Sequence, residues 1–219
     1  SGKRIQAVLD LPAGEPGQAE APAGDARFRV QFCHAGLKYA GAAGESLSDV
    51  SLSVLPGETV GVIGGTGSGK STLVHLIPRF YEATEGRVLV YGKDVRSFDP
   101  SALRGRIGLV PQKAVLFHGT IRDNLRWGRE NASDQELLAA AEAAQAMDVL
   151  AAKGGLDGMI EQGGRNLSGG QRQRLTIARA LVRQPDILIL DDSSSALDQA
   201  TDLNLRRALR GLDYHPTVF

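Results

Sequence analysis

A single cysteine, Cys33, is all the thiol chemistry available in 219 residues. That excludes an internal disulfide framework and any multi-cysteine zinc or iron–sulfur site, and it fits a reducing compartment. A lone thiol of this kind is expected to act as a small buried hydrophobe. Aromatic residues are scarce, at 5 % with one tryptophan, and Trp127 is expected in the core. An excess charge of one sign is missing as well. The 25 acidic and 25 basic residues balance, so no net positive field is available to neutralise a phosphate backbone, which disfavours a general nucleic-acid binder. No run approaches the ~18–20 consecutive apolar residues that cross a bilayer, and no signal-peptide pattern opens the chain. Any membrane role must then come through a partner. His34, His75, His118 and His215 stand without metal-ligand spacing, which points to surface or packing roles.

What is present suits one large or two small globular units: 42 % of residues are hydrophobic and 23 % charged. Residues 11–26 carry three prolines and three glycines and almost no large apolar residue, so they read as an extended linker. Ahead of it, KRIQAVLD (Lys3 to Asp10) reads as a short helical end with Ile5, Val8 and Leu9 on one side. Folding is expected to begin near Arg27. From Phe28 to Val62 the segments FRVQF, VSLSV and TVGVI are β-branched and separated by turn residues such as Pro56-Gly57, which predicts sheet. A helix is predicted from about Lys70 to Phe80, then a β pair around Gly86 to Tyr91. Helix signals dominate Asp99 to Leu150, with a capping box at Ser133 and Glu136. A further helix should run from Ser168 to Arg183, stopped by Pro185. The run Ile187 to Asp191 (ILILD) suits a strand buried on both faces of a parallel sheet. Arg104 and Arg106 read as a solvated helical face.

Three constellations carry chemistry. Gly64-Gly65-Thr66-Gly67-Ser68-Gly69-Lys70-Ser71 fits the phosphate-loop pattern G-x-x-x-x-G-K-[ST], between an apolar strand (Val60 to Ile63) and a helix. There, backbone N–H groups and the helix N-terminus face phosphate, Lys70 reaches the β and γ phosphates, and the Ser71 hydroxyl ligates magnesium. Asp191, closing an apolar strand, is the expected second magnesium anchor, because strand C-termini in open α/β sheets converge on the ligand crevice. Together these mean a nucleoside triphosphate. Finally, Ser168 and Gln171 have capping-box spacing around Gly169 and Gly170, leaving N–H groups and a hydroxyl free to face an anion.

Read whole, LSGGQRQR (Leu167 to Arg174) resembles the signature motif of ABC ATPases, and its place ahead of the Asp191 strand matches that family's order. The resemblance extends from Arg27 to Phe219. It implies an α/β domain with a RecA-like core, an N-terminal antiparallel β part and an inserted helical subdomain at about 99–168. Residues 1–26 would be a linker from a membrane domain, and 27–219 the nucleotide-binding domain. By the same resemblance Tyr39 stacks on adenine, Thr72 follows the phosphate loop at the nucleotide, and Gln112 in VPQ lies near magnesium and the attacking water. Ser195-Ala196-Leu197-Asp198 is similar to the D-loop, with Asp198 at the nucleotide. Ser168, Gly169, Gly170 and Gln171 would complete a site on a second ABC domain, two ATP molecules being held head to tail. ATP and Mg2+ are the implied ligands. The implied partners are a second nucleotide-binding domain of a different subunit and the membrane domain of the same polypeptide, at the cytoplasmic face of a membrane.

Three features resemble exporters: KRIQAVLD, LFHGTIRDNLRWG (Leu116 to Gly128) and IEQGGRN (Ile160 to Asn166), in which Glu161 would face the coupling helices. Two features depart from the family. Asp192 stands where a glutamate usually polarises the hydrolytic water, and it is one methylene shorter. The family's switch histidine lies beyond Phe219, His215 being too early, so the domain is expected to lack its last strand and C-terminal helices. Two other readings compete. A DNA-repair or chromosome-organising ATPase would need a coiled-coil insertion between Gln112 and Leu167, where 54 residues without heptads stand. A regulatory subunit that binds ATP but scarcely hydrolyses it fits Asp192.

Overall fold

The computed structural model describes residues 24–193 and 195–219. The KRIQAVLD segment and the linker up to residue 23 lie outside them. β1 (Val30–Leu37), β2 (Leu47–Val54), β3 (Glu85–Val90) and β4 (Lys93–Asp94) form an antiparallel sheet in the order β2-β1-β3-β4. Along β1 the buried Val30 and Phe32 alternate with the less buried Gln31 and Cys33, the period-two pattern of a one-faced sheet. Cys33 is therefore half-buried rather than a core thiol.

The second sheet is parallel, with β5 (Ile107–Val110), β8 (Ile187–Leu190) and β9 (Thr217–Val218) in the order β5-β8-β9. Ile187, Leu188 and Ile189 are fully buried, which explains why this strand is apolar without alternation. The stretch Val60 to Ile63 departs from expectation. Thr59 bridges Val218 in parallel and the Val60 N–H donates to the Val218 carbonyl, but Gly61 to Ile63 join no strand and Ile63 is 98 % exposed. The reason lies in the neighbouring strand: β9 pairs only as far as Val218, so these residues have no ladder partner among the described residues.

The helices are α1 (Lys70–Leu76), α2 (Pro100–Gly105), α3 (Ile121–Arg126), α4 (Asp134–Ala143), α5 (Met147–Lys153), α6 (Gly169–Val182) and α7 (Gln199–Arg210). A two-stranded ribbon, β6 (Gly119–Thr120) with β7 (Met159–Ile160), lies among them. Capping boxes form at Thr120, Ser133 and Ser168. α1 stops at Leu76, short of Phe80, because Pro78 supplies no N–H to continue the ladder. The guanidinium of Arg104 donates to the carbonyls of Pro78 and Arg79 and lies over the Phe80 ring, so Arg104 closes the end of α1 rather than forming a solvated face.

The main core joins α3, α4, α5 and α6 to one face of the parallel sheet, with Leu125, Leu137, Leu175 and Ile177 fully buried. Trp127 is not in it. α3 buries Ile121, Asn124 and Leu125, and i, i+3, i+4 spacing leaves residue 127 off that face. Trp127 is 66 % exposed and stacks on Phe117 with ring centroids 4.7 Å apart. Leu175→Ala is expected to cost about 2–5 kcal/mol and Trp127→Ala about 0.5 kcal/mol or less. Urea unfolding followed by circular dichroism checks both, since Trp127 is the one tryptophan.

Candidate nucleotide-binding site

Sheet register assembles the site. Val110 on β5 pairs with Leu190 on the parallel β8, so the chains leaving both strands emerge side by side, and the residue two positions on from each should meet the other. It does. The Gln112 side-chain amide donates from Nε2 to Asp192 Oδ2 at 3.0 Å. Asp192 takes a left-handed backbone conformation (φ 49°), which aspartate tolerates better than most residues, and its carbonyl accepts from the Ser195 hydroxyl at 2.8 Å.

The phosphate loop faces this pair. Gly69 precedes α1 at φ 87°, and a Cβ there would sit 2.5 Å from the Ser46 carbonyl oxygen. Only glycine meets both constraints. Lys70 Nζ donates to the carbonyls of Gly64 (2.8 Å) and Gly65 (2.7 Å), which holds the ammonium within the loop. Ser71 Oγ donates to Asp191 Oδ1 at 2.7 Å. Thr66, Gly67, Lys70, Ser71, Gln112, Asp191 and Asp192 line one cavity of about 560 Å³. Ser68 is exposed on the same loop, and its N–H donates to the Gly65 carbonyl. Tyr39 flanks the loop from the antiparallel sheet. Its hydroxyl is 3.0 Å from Thr72 Oγ1, and Tyr81 packs edge-on against it at 5.0 Å.

Ser168, Gly169, Gly170 and Gln171 are elsewhere. Ser168 Oγ accepts from the Gln171 N–H, and Gln171 Oε1 accepts from the Ser168 N–H. This α6 N-terminus lies beside the segment after Asp192: a Cβ at Gly170 would be 3.1 Å from the Ala196 carbonyl oxygen. None of the four lines the phosphate-loop cavity. Asp198 caps α7, accepting from the Thr201 N–H and hydroxyl. Those hydrogen bonds hold its carboxyl below the ordinary carboxylate range. The structure thus brings together Tyr39, the loop from Gly64 to Thr72, Gln112, Asp191 and Asp192, and leaves the signature and Asp198 outside the cavity. Sequence reasoning missed His75, whose Nε2 is 3.4 Å from Asp191 Oδ2. Its i, i+4 spacing from Ser71 was the available signal.

A phosphate loop on α1, an acid closing a buried parallel strand and a capped signature helix inserted between them define an ABC-type ATPase, and the comparisons agree. A family model described as ABC transporter matches residues 47–195. The chain belongs to that family and is an ATP-binding domain of it. It is 45 % identical, over its whole length, to 38 % of the uncharacterized ABC transporter ATP-binding protein YfiB of Bacillus subtilis. It is 41 % identical, over 97 % of its length, to 36 % of the ATP-dependent lipid A-core flippase of Chromobacterium violaceum. A solved structure of a bacterial Atm1-family ABC exporter with ATP bound superposes with a TM-score of 0.85 at 36 % identity, covering 99 % of this chain and 38 % of that one. The chain therefore spans less than two-fifths of these proteins.

Tyr39→Ala is expected to weaken ATP binding several-fold without unfolding the domain, since it removes a ring face and leaves the loop intact. Lys70→Ala should be much worse. Titration with a fluorescent ATP analogue checks both, and equal affinity for wild type and Tyr39→Ala would remove Tyr39 from the site.

Proposed function

We propose that this chain binds and hydrolyses ATP to power export across a membrane, by ATP-driven pairing with a second ABC nucleotide-binding domain. One observation carries the reading: the phosphate-loop cavity and the α6 N-terminus are both built, yet Ser168 to Gln171 line no part of the cavity. An anion-ready helix end with no anion site of its own suits the site of a partner. Ser168, Gly169, Gly170, Gln171 and Asp198 would then complete the partner's nucleotide site, and the partner would do the same here. The resemblance to a lipid A-core flippase and to an Atm1-family exporter supports the export direction.

Within its own half-site, Gly64 to Thr72 would hold the phosphates and Tyr39 the adenine. Ser71, Asp191 and Gln112 offer only hydroxyl, carboxylate and amide oxygens, a donor set that suits a hard cation such as Mg2+. Mg2+ would neutralise charge on the transferred phosphoryl group. Asp192 would orient the attacking water, with Gln112 bonded to it.

Residues 27–219 would form this domain and 1–26 the link to a membrane domain of the same polypeptide at the cytoplasmic face, with no nucleic acid involved. A groove of about 330 Å³ lined by Phe80, Phe117, Trp127, Arg104, Arg179 and Arg183 suits that membrane domain. The three guanidinium groups donate to main-chain carbonyls and none forms an ion pair with a described residue. Burial pushes the Arg179 guanidinium below its ordinary value.

We further propose that this half-site is slow and that the partner is a different subunit. Asp192 is one methylene shorter than glutamate, and a ~1 Å misplacement costs about 10²-fold where positioning dominates. The second reading, a mainly regulatory ATP-binding subunit, rests on the same residue. In the full heterodimer, Asp192→Asn should change turnover little, whereas Ser168→Ala, or loss of the partner's catalytic glutamate, should nearly abolish it. Steady-state ATPase of the three variants decides: equal damage from Asp192→Asn makes Asp192 a working base and removes the asymmetry. The 219-residue chain by itself should sediment mainly as a monomer with poor turnover. A tight dimer with family-level turnover in magnesium-ATP would count against a site shared between domains.

A further inference from the structure

We infer that His75 is a positioning residue for the metal ion, acting through Asp191. Ser71 and His75 are four residues apart on α1 and so project from one face of it. They reach the two oxygens of one carboxylate: Ser71 Oγ donates to Asp191 Oδ1 at 2.7 Å, and His75 Nε2 lies 3.4 Å from Asp191 Oδ2. Both side chains are largely enclosed, His75 being 23 % and Asp191 12 % exposed. The imidazole is held from behind. Phe80 packs against it at 64° with centroids 5.7 Å apart, and Tyr81 lies 6.4 Å away at 33°.

These contacts divide the carboxylate between them. Ser71 is itself a candidate ligand, since its oxygen lone pairs can meet a cation while its O–H still donates to Oδ1. Oδ2, the oxygen that Ser71 does not reach, is left to the imidazole. As the tautomer that carries its hydrogen on Nε2, His75 would hold Oδ2 and limit rotation of the carboxylate. Partners of this kind set the orientation of metal-ligating carboxylates. Tyr81 also packs on Tyr39, so the ring that steadies His75 is the one that supports the proposed adenine face.

The inference rests on Asp191 being a magnesium ligand, and the experiment separates the two claims. Mn2+ in place of Mg2+ would be titrated by electron paramagnetic resonance into the ATP complexes of wild type, His75→Ala, His75→Gln and Asp191→Ala. ATP affinity would be measured separately in chelator. His75→Ala is expected to weaken Mn2+ binding by roughly tenfold, with metal-free ATP affinity unchanged. His75→Gln, whose Nε2 amide can occupy the imidazole Nε2 position, should recover most of the loss. Wild-type Mn2+ affinity in His75→Ala alongside a weakened Asp191→Ala would overturn the role of His75 and leave the metal site standing. Unchanged affinity in Asp191→Ala would overturn the metal site itself. A parallel fall in metal-free ATP affinity, or equal losses in His75→Ala and His75→Gln, would reduce His75 to packing.

Discussion

The hydrogen bond from Ser71 to Asp191 joins residues 120 positions apart and ties the phosphate loop to the parallel sheet. Asp191 can serve because β8 is buried on both faces and flanked by β5 and β9, so the main chain beneath it has little freedom. The Asp191 N–H donates to the Val110 carbonyl and the Leu190 N–H to the Phe219 carbonyl, one bond to each neighbouring strand. Gln112 reaches Asp192 through the same register. Were the β5–β8 register to slip by one residue, the glutamine and both aspartates would lose their common side.

α6 answers to two demands at once. Its body is core, with Leu175, Ile177 and Ala178 fully buried, and Arg174 fastens its outer side to Asp148 on α5 at 2.7 Å. Its N-terminus stays open, since Gly169 has nothing within 4 Å of a Cβ position. The helix runs from this open end at Ser168 to the groove lined by Arg179 and Arg183 near its other end. Those arginines also touch the chain on either side of Phe117 and Trp127: Arg179 donates to the Val115 carbonyl and Arg183 to that of Gly128.

The elements legible in the sequence were those whose cause is local. Capping boxes at Ser133 and Ser168, the glycine pattern before Lys70 and the apolar β8 depend on neighbours in the chain, and each appears where expected. Residues governed by distant groups were not legible. Trp127 looked like core by composition, but the α3 face that is buried excludes it. Arg104 looked solvated until the fold placed the carbonyls of Pro78 and Arg79 beside it. Val60 to Ile63 has strand composition, and composition cannot supply a neighbour to pair with. Within the site, the loop, Gln112, Asp191 and Asp192 were readable as a set, whereas His75 needed the distance between α1 and β8.

The bare stretch after Thr59 has a solubility consequence. Among the described residues Gly61 to Ile63 pair with no strand, and Ile63 is exposed. Natural sheets guard such edges with charge, proline or a bulge. Here Val60 to Gly64 include neither a charged residue nor a proline. Left unguarded, such a stretch lowers solubility until another strand covers it.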